Sequence, residues 1–138
     1  YLEEAYPEPP LMGTDPKEIA IISMWEHRME WDGFLAVAEY LRNTIERLKG
    51  RGLTGPVNFE QIPALAERGK KRVTLYYDIL EKRLGESEYV AGDYYTVADI
   101  TAQVSLDFGN RAGLQYSTEK KNIANWHAKV NSRPSASA

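Results

Sequence analysis

Between Asp15 and Leu48 the apolar residues fall on a helical spacing. Ile21, Met24, Trp31, Leu35, Ala38, Leu41, Ile45 and Leu48 keep the three-and-four interval of a core-facing stripe, with Arg28 and Phe34 near its edge. The pattern predicts one long helix ending near Leu48. Its start is written in Asp15-Pro16-Lys17-Glu18: an Asp N-cap, proline at the first helical position, and a glutamate at the third to complete a capping box. A second, shorter stripe of Ile22, Trp25 and Met29 occupies another face of the first half only. That half should therefore touch two things, its own core and a second domain, subunit or ligand. Gly33 falls in mid-helix, where it costs up to about 1 kcal/mol relative to alanine, so close packing or a bend is expected there.

The same reading continues down the chain. Lys49 to Pro56 is a loop in which Gly50, Gly52 and Gly55 match a G-x-G-x-x-G spacing. No strand precedes it and Pro56 follows, so helix termination at Gly50 explains it better than phosphate binding. A helix is predicted from Ile62-Pro63 to Leu84, with Leu65, Gly69, Val73, Tyr76 or Tyr77, Leu80 and Leu84 inward and Gly85 as its stop. The basic cluster Arg68, Lys70, Lys71, Arg72 reads as a solvated face. Nearer the C-terminus a shorter helix carries Ile123, Trp126 and Val130 on one side, and Arg133-Pro134 ends it.

The strongest initiation signal lies between these two helices. In Tyr95-Thr96-Val97-Ala98-Asp99-Ile100, Thr96 sits at the N-cap and Asp99 at the third helical position, a capping box with aspartate in place of glutamate. Tyr95 and Ile100 are placed to form a hydrophobic staple around it, and the Asp99 carboxylate suits the positive end of the helix dipole. The helix that follows is mostly apolar and ends near Gly109. The sum is an all-α helical bundle of four main helices with no credible strand.

Composition narrows the function without choosing it. A chain of 138 residues with 43% hydrophobic and 27% charged residues is one ordinary globular domain. Its net charge of −3 gives no electrostatic reason to expect nucleic acid, and no apolar run is long enough for a membrane span. The absence of cysteine excludes disulfides, thiolate nucleophiles and cysteine metal sites, and fits a cytoplasmic location. No catalytic residue can be named. His27 and His127 lack a second histidine at metal-ligand spacing, and Glu26 and Glu30 beside His27 read as a helical surface rather than half of a di-iron site, so no metal is expected.

Several segments together resemble glutathione transferases, in particular the C-terminal helical domain of bacterial members. They are Tyr1 to Leu11, Met24 to Glu30, Gln61 to Leu65, Val90 to Phe108, and Trp126 with Ser132 to Ala136. The resemblance implies that residues 1–10 close a preceding thioredoxin-like domain and cross a proline linker. Residues 11–134 would form the glutathione transferase C-terminal helical domain, and residues 135–138 a frayed tail. It further implies a homodimeric enzyme that conjugates glutathione, its co-substrate, to a hydrophobic electrophile, with no tightly bound cofactor. The sulfur-stabilising residue would lie in the missing domain, leaving this chain inactive alone. On that reading Trp25, Arg28, Met29 and Phe108 are the candidate substrate-binding residues. The alternative is a non-catalytic module of the same fold that docks a protein or binds a hydrophobic ligand.

Overall fold

The computed structural model describes residues 1–137. Among the described residues there are six α-helices: α1 (Leu2–Ala5), α2 (Pro16–Arg28), α3 (Leu35–Arg42), α4 (Pro63–Leu84), α5 (Val97–Arg111) and α6 (Lys121–Asn131). Among the described residues the only β pairing is an isolated bridge between Arg51 and Phe59. The all-α expectation holds. Pro134–Ser137 turn once as a 3₁₀ helix, and Ala138, the last residue of the expected tail, lies outside the described residues.

The expected helix from Asp15 to Leu48 is four pieces. Met29–Phe34 is a π-helical segment joining α2 to α3, α3 ends at Arg42, and Glu46–Leu48 is a separate 3₁₀ turn. Termination follows from where the last carbonyls find partners. Asn43 Nδ2 donates to Glu39 O at 2.8 Å, and Gln61 Nε2 donates to Arg42 O at 2.8 Å and Ile45 O at 2.9 Å. The exposed helix end is thus satisfied by side chains from 61 and 43 rather than by another turn. Asn43 Oδ1 in turn accepts from Ile62 N at 2.9 Å, so the same asparagine ends α3 and orders the entry to α4.

The core-facing stripe also differs from the one expected. Ile22, Met29, Gly33, Ala36 and Val37 are buried, whereas Met24 and Trp31 keep 46% and 56% of their surface exposed. The buried stripe is built partly from small residues, which give little hydrophobic signal but let neighbours approach closely. A Cβ on Gly33 would sit 2.7 Å from the Tyr76 ring, and one on Gly69 of α4 would sit 2.9 Å from Ala36 O. Close packing is therefore what the mid-helix glycine serves.

Helix α5 is the interior element. It packs on α2, the π segment, α3 and α6, and buries Ala98, Ala102, Ser105, Leu106 and Gly109. Tyr76 on α4 donates its hydroxyl to Ala102 O at 3.2 Å, and Tyr77 donates to Leu114 O at 2.5 Å just past the helix. Burial pushes both phenols up, that of Tyr77 to about 12, so both remain donors at any physiological pH.

Helix α6 buries Ile123, Trp126 and Val130, the face its sequence predicts. Its N-terminus is capped from outside: the Glu81 carboxylate of α4 accepts from Asn122 N at 3.1 Å and Ile123 N at 2.9 Å. Replacing Glu81 by alanine leaves those two donors to water. The variant is expected to unfold about 1 kcal/mol more easily in urea, and an unchanged midpoint would show that α6 needs no such cap.

Candidate functional site

The loop before α5 and the first turn of that helix are joined by a cluster of buried hydrogen bonds. Asp99 is fully buried. Its Oδ1 accepts from Val90 N at 2.9 Å and from the Trp126 indole Nε1 at 2.9 Å; its Oδ2 accepts from Thr96 N at 3.0 Å and Thr96 Oγ1 at 3.3 Å. The reciprocal capping box is present. Burial raises the Asp99 pKa above the ordinary carboxylate value, while the donors from Val90, Thr96 and Trp126 pull it back. The carboxylate thus ties the loop at Val90, the cap at Thr96 and helix α6 at Trp126 into one unit. Tyr95 packs against the Tyr89 ring, with centroids 6.1 Å apart, and under the Arg133 guanidinium at 3.8 Å; Ile100 keeps 38% of its surface exposed.

Held by that unit, α5 presents Phe108 to the π segment. Phe108 and Phe34 meet with ring centroids 5.3 Å apart, tilted by 32°. Trp31, in the same segment, stacks on His27 with centroids 6.2 Å apart. Phe34 and Trp31 remain exposed, so this stretch offers two aromatic contacts and open apolar surface at its side. Sequence reasoning assigned Trp31 to the core and Phe34 to the edge of that stripe. For Trp31 bulk was the signal and the face was the error, whereas Phe34, 37% exposed and packed on Phe108, does lie at an edge.

The four expected substrate-binding residues do not share one cavity. Trp25 and Arg28 line a small one of about 260 Å³ with Lys82 and Arg83. There the Trp25 indole has the Arg28 and Arg83 guanidiniums each 4.9 Å from its centroid, a doubly occupied cation–π arrangement. Arg28 Nε also lies 3.5 Å from Asp32 Oδ2, and Arg83 Nε donates to Val90 O at 2.7 Å. Met29 has no exposed surface and fills the core. Phe108 stands with Phe34.

No helix is long and apolar enough to cross a membrane, and no cluster of three or more histidines, aspartates or glutamates is placed to hold a metal among the described residues. What the arrangement offers chemically is aromatic surface at Phe34, Phe108 and the exposed Trp31 and, in a separate cavity, guanidinium groups over the Trp25 indole.

Comparison with known proteins gives the family. The model of the glutathione S-transferase C-terminal domain matches residues 24–134. Glutathione S-transferase F14 of Arabidopsis thaliana is 31% identical over 144 residues, covering 97% of this chain and 52% of that protein. Among solved structures, a glutathione S-transferase domain-containing protein from Marinobacter aquaeolei VT8 superposes with a TM-score of 0.86 at 33% identity, over 98% of this chain and 63% of that one. Gtt2 from Saccharomyces cerevisiae superposes with a TM-score of 0.87 at 28% identity, over 99% and 64%. Similar proteins thus come from a plant, a yeast and a bacterium, and the chain spans about half the length of the curated relatives it matches. With its fold and the greater part of its length matched, this chain belongs to the glutathione S-transferase C-terminal domain family.

Proposed function

We propose that this chain is the acceptor-binding half of a glutathione transferase. A glutathione thiol has an ordinary pKa of about 8.5 and must be ionised to attack; this chain offers no residue assigned to that task. Its part is to hold an apolar electrophile where water is excluded and the sulfur can reach it, so that a carbon–sulfur bond forms as the leaving group departs. The observation that carries this reading is the Phe34–Phe108 ring pair with Phe34 exposed, together with the exposed Trp31 of the same π-helical segment. Phe108 and Phe34 supply the wall, Trp31 extends it, and Met29 supports it from the core. Arg28, beside Trp25, serves an anionic substituent at the rim. On the same reading the protein is a cytoplasmic homodimer to whose interface the helical domain contributes, and glutathione is a co-substrate rather than a resident group.

Steady-state kinetics of the parent protein test this. Phe108→Ala is expected to raise KM for 1-chloro-2,4-dinitrobenzene about tenfold while moving KM for glutathione less than about twofold. Equal changes in both would make Phe108 a packing residue. A parent protein that binds the aryl halide without conjugating it would instead support a binding module. The 138-residue chain alone is expected to give no turnover in the same assay, and any glutathione-dependent rate from it would overturn the division of labour.

A further inference from the structure

At Met29–Phe34 the helical run that carries Trp31 and Phe34 changes its hydrogen bonding. In an α-helix Leu35 N would donate to the carbonyl four residues back, that of Trp31. Here it donates to Glu30 O, five residues back. Trp31 O, which loses that donor, accepts from a side chain: Arg72 Nη2 of α4 donates to it at 2.5 Å. A hydrogen bond from a charged donor is stronger than one between neutral groups, so the guanidinium helps to hold the wider turn.

A second residue aims that guanidinium. Arg72 Nη1 donates to Glu39 Oε2 of α3 at 3.3 Å, and Arg68, one turn earlier on α4, donates to the same carboxylate through Nε at 3.1 and 3.3 Å. Burial pushes the Glu39 carboxyl up, but the hydrogen bonds and charges of Arg68 and Arg72 outweigh it and hold the group below the ordinary carboxylate value. Glu39 is therefore ionised at neutral pH. The basic cluster expected as a solvated face thus divides: Lys70 and Lys71 are exposed, while Arg68 and Arg72 reach α3. Of the two, only Arg72 goes on to the π segment among the described residues. Ser105 Oγ of α5 also approaches that segment, 3.3 Å from Met29 O, but its single proton has a nearer acceptor in Thr101 O at 2.7 Å.

Successive helical side chains point about 100° apart. A slip between four-back and five-back bonding would therefore carry Trp31 and Phe34 to another face.

We propose that Arg72 is a positioning residue: by holding the Trp31 carbonyl it fixes the π register of residues 29–34, and with it the face that Trp31 and Phe34 present to the acceptor. The role in catalysis rests on the acceptor-binding reading above; the grip on the backbone does not.

The test compares Arg72→Met with Arg68→Met in the parent protein. Arg68→Met opens the same Glu39 cluster without touching Trp31 O, and so isolates the loss of an ion pair. Arg72→Met is expected to speed hydrogen exchange of the Leu35 N–H about tenfold and to shift the Trp31 indole resonance. It should also raise KM for 1-chloro-2,4-dinitrobenzene about fivefold, with kcat and the KM for glutathione changed less than about twofold. In Arg68→Met every one of these readings should stay within about twofold of the unaltered protein. Glu39→Gln leaves Arg72 in place but loosens its aim, and should speed Leu35 exchange about threefold; it decides the matter if Arg72→Met does not fold. Unchanged Leu35 exchange, or equal effects of Arg72→Met and Arg68→Met, would overturn the inference. Phe108→Ala separates it from the wider reading. If Phe108→Ala raises the electrophile KM and Arg72→Met does not, the positioning role fails while the acceptor wall stands. If neither raises it, the acceptor reading fails, and Leu35 exchange with the Trp31 resonance decides whether Arg72 holds the segment.

Discussion

Asp99→Ala is expected to destabilise the fold by about 4 kcal/mol, because three buried N–H donors lose their acceptor at once and each unsatisfied group costs about 1–3 kcal/mol. Val90 N and the Trp126 indole share one carboxylate oxygen and Thr96 N holds the other. The loss therefore falls on the loop, the cap and helix α6 together. An ordinary surface cap would cost only about 1 kcal/mol, so equilibrium denaturation distinguishes a local cap from a tertiary hub. Asp99→Asn should lie between wild type and the alanine variant. Its amide oxygen can still serve one pair of donors, but its NH₂ would confront an N–H where an acceptor is needed. A loss near 1 kcal/mol for the alanine variant would reduce Asp99 to a helix cap, leaving the α6 attachment to apolar packing.

Gly33→Ala is the second large effect expected. The added methyl would sit 2.7 and 2.8 Å from two Tyr76 ring carbons and 3.1 Å from Ser105 Cβ. Tyr76 is fully buried and anchored to Ala102 O, so it has little room to retreat. Alanine would favour a helix by up to about 1 kcal/mol, but overpacking costs about 1–3 kcal/mol, and with the Tyr76 anchor strained the net loss should reach about 2 kcal/mol. Thermal unfolding of the variant checks the sign. A stabilised variant would mean that the π segment has slack at Tyr76 and that helix propensity governs this position.

These two residues also show what could be read from the sequence and what could not. The start of α5 is encoded locally: Thr96 and Asp99 are three residues apart and meet within one turn. Asp15 before Pro16 is equally local, although Glu18 reaches Thr14 rather than completing its box on Asp15. The inward face of α6, with Trp126 and Ile123, follows from side-chain size and period. Tertiary partners defeated the rest. Asp99 was legible as a cap, but nothing near it in sequence announces the indole of Trp126. The end of α3 depends on Gln61, and the cap of α6 depends on Glu81. From α2 through the π segment into α3 the bulky outward residues Met24 and Trp31 outweighed Gly33 and Ala36, whose small size is what the core required there. For the candidate site, Phe108 was named for its place at the end of α5, while its partner Phe34 became visible only when the two helical segments were placed side by side.

The acceptor-binding account is tested most directly by following the Trp31 indole N–H in the NMR spectrum of the parent protein during titration with S-(2,4-dinitrophenyl)glutathione, the conjugate of the model reaction. Trp31 is exposed, Trp126 is buried against Asp99, and Trp25 lies between two guanidiniums, so the three indoles report on three separate places. The account predicts a saturable shift at Trp31, accompanied by Phe34 and Phe108, with Trp126 unmoved. Saturable binding that leaves Trp31, Phe34 and Phe108 unmoved would contradict it.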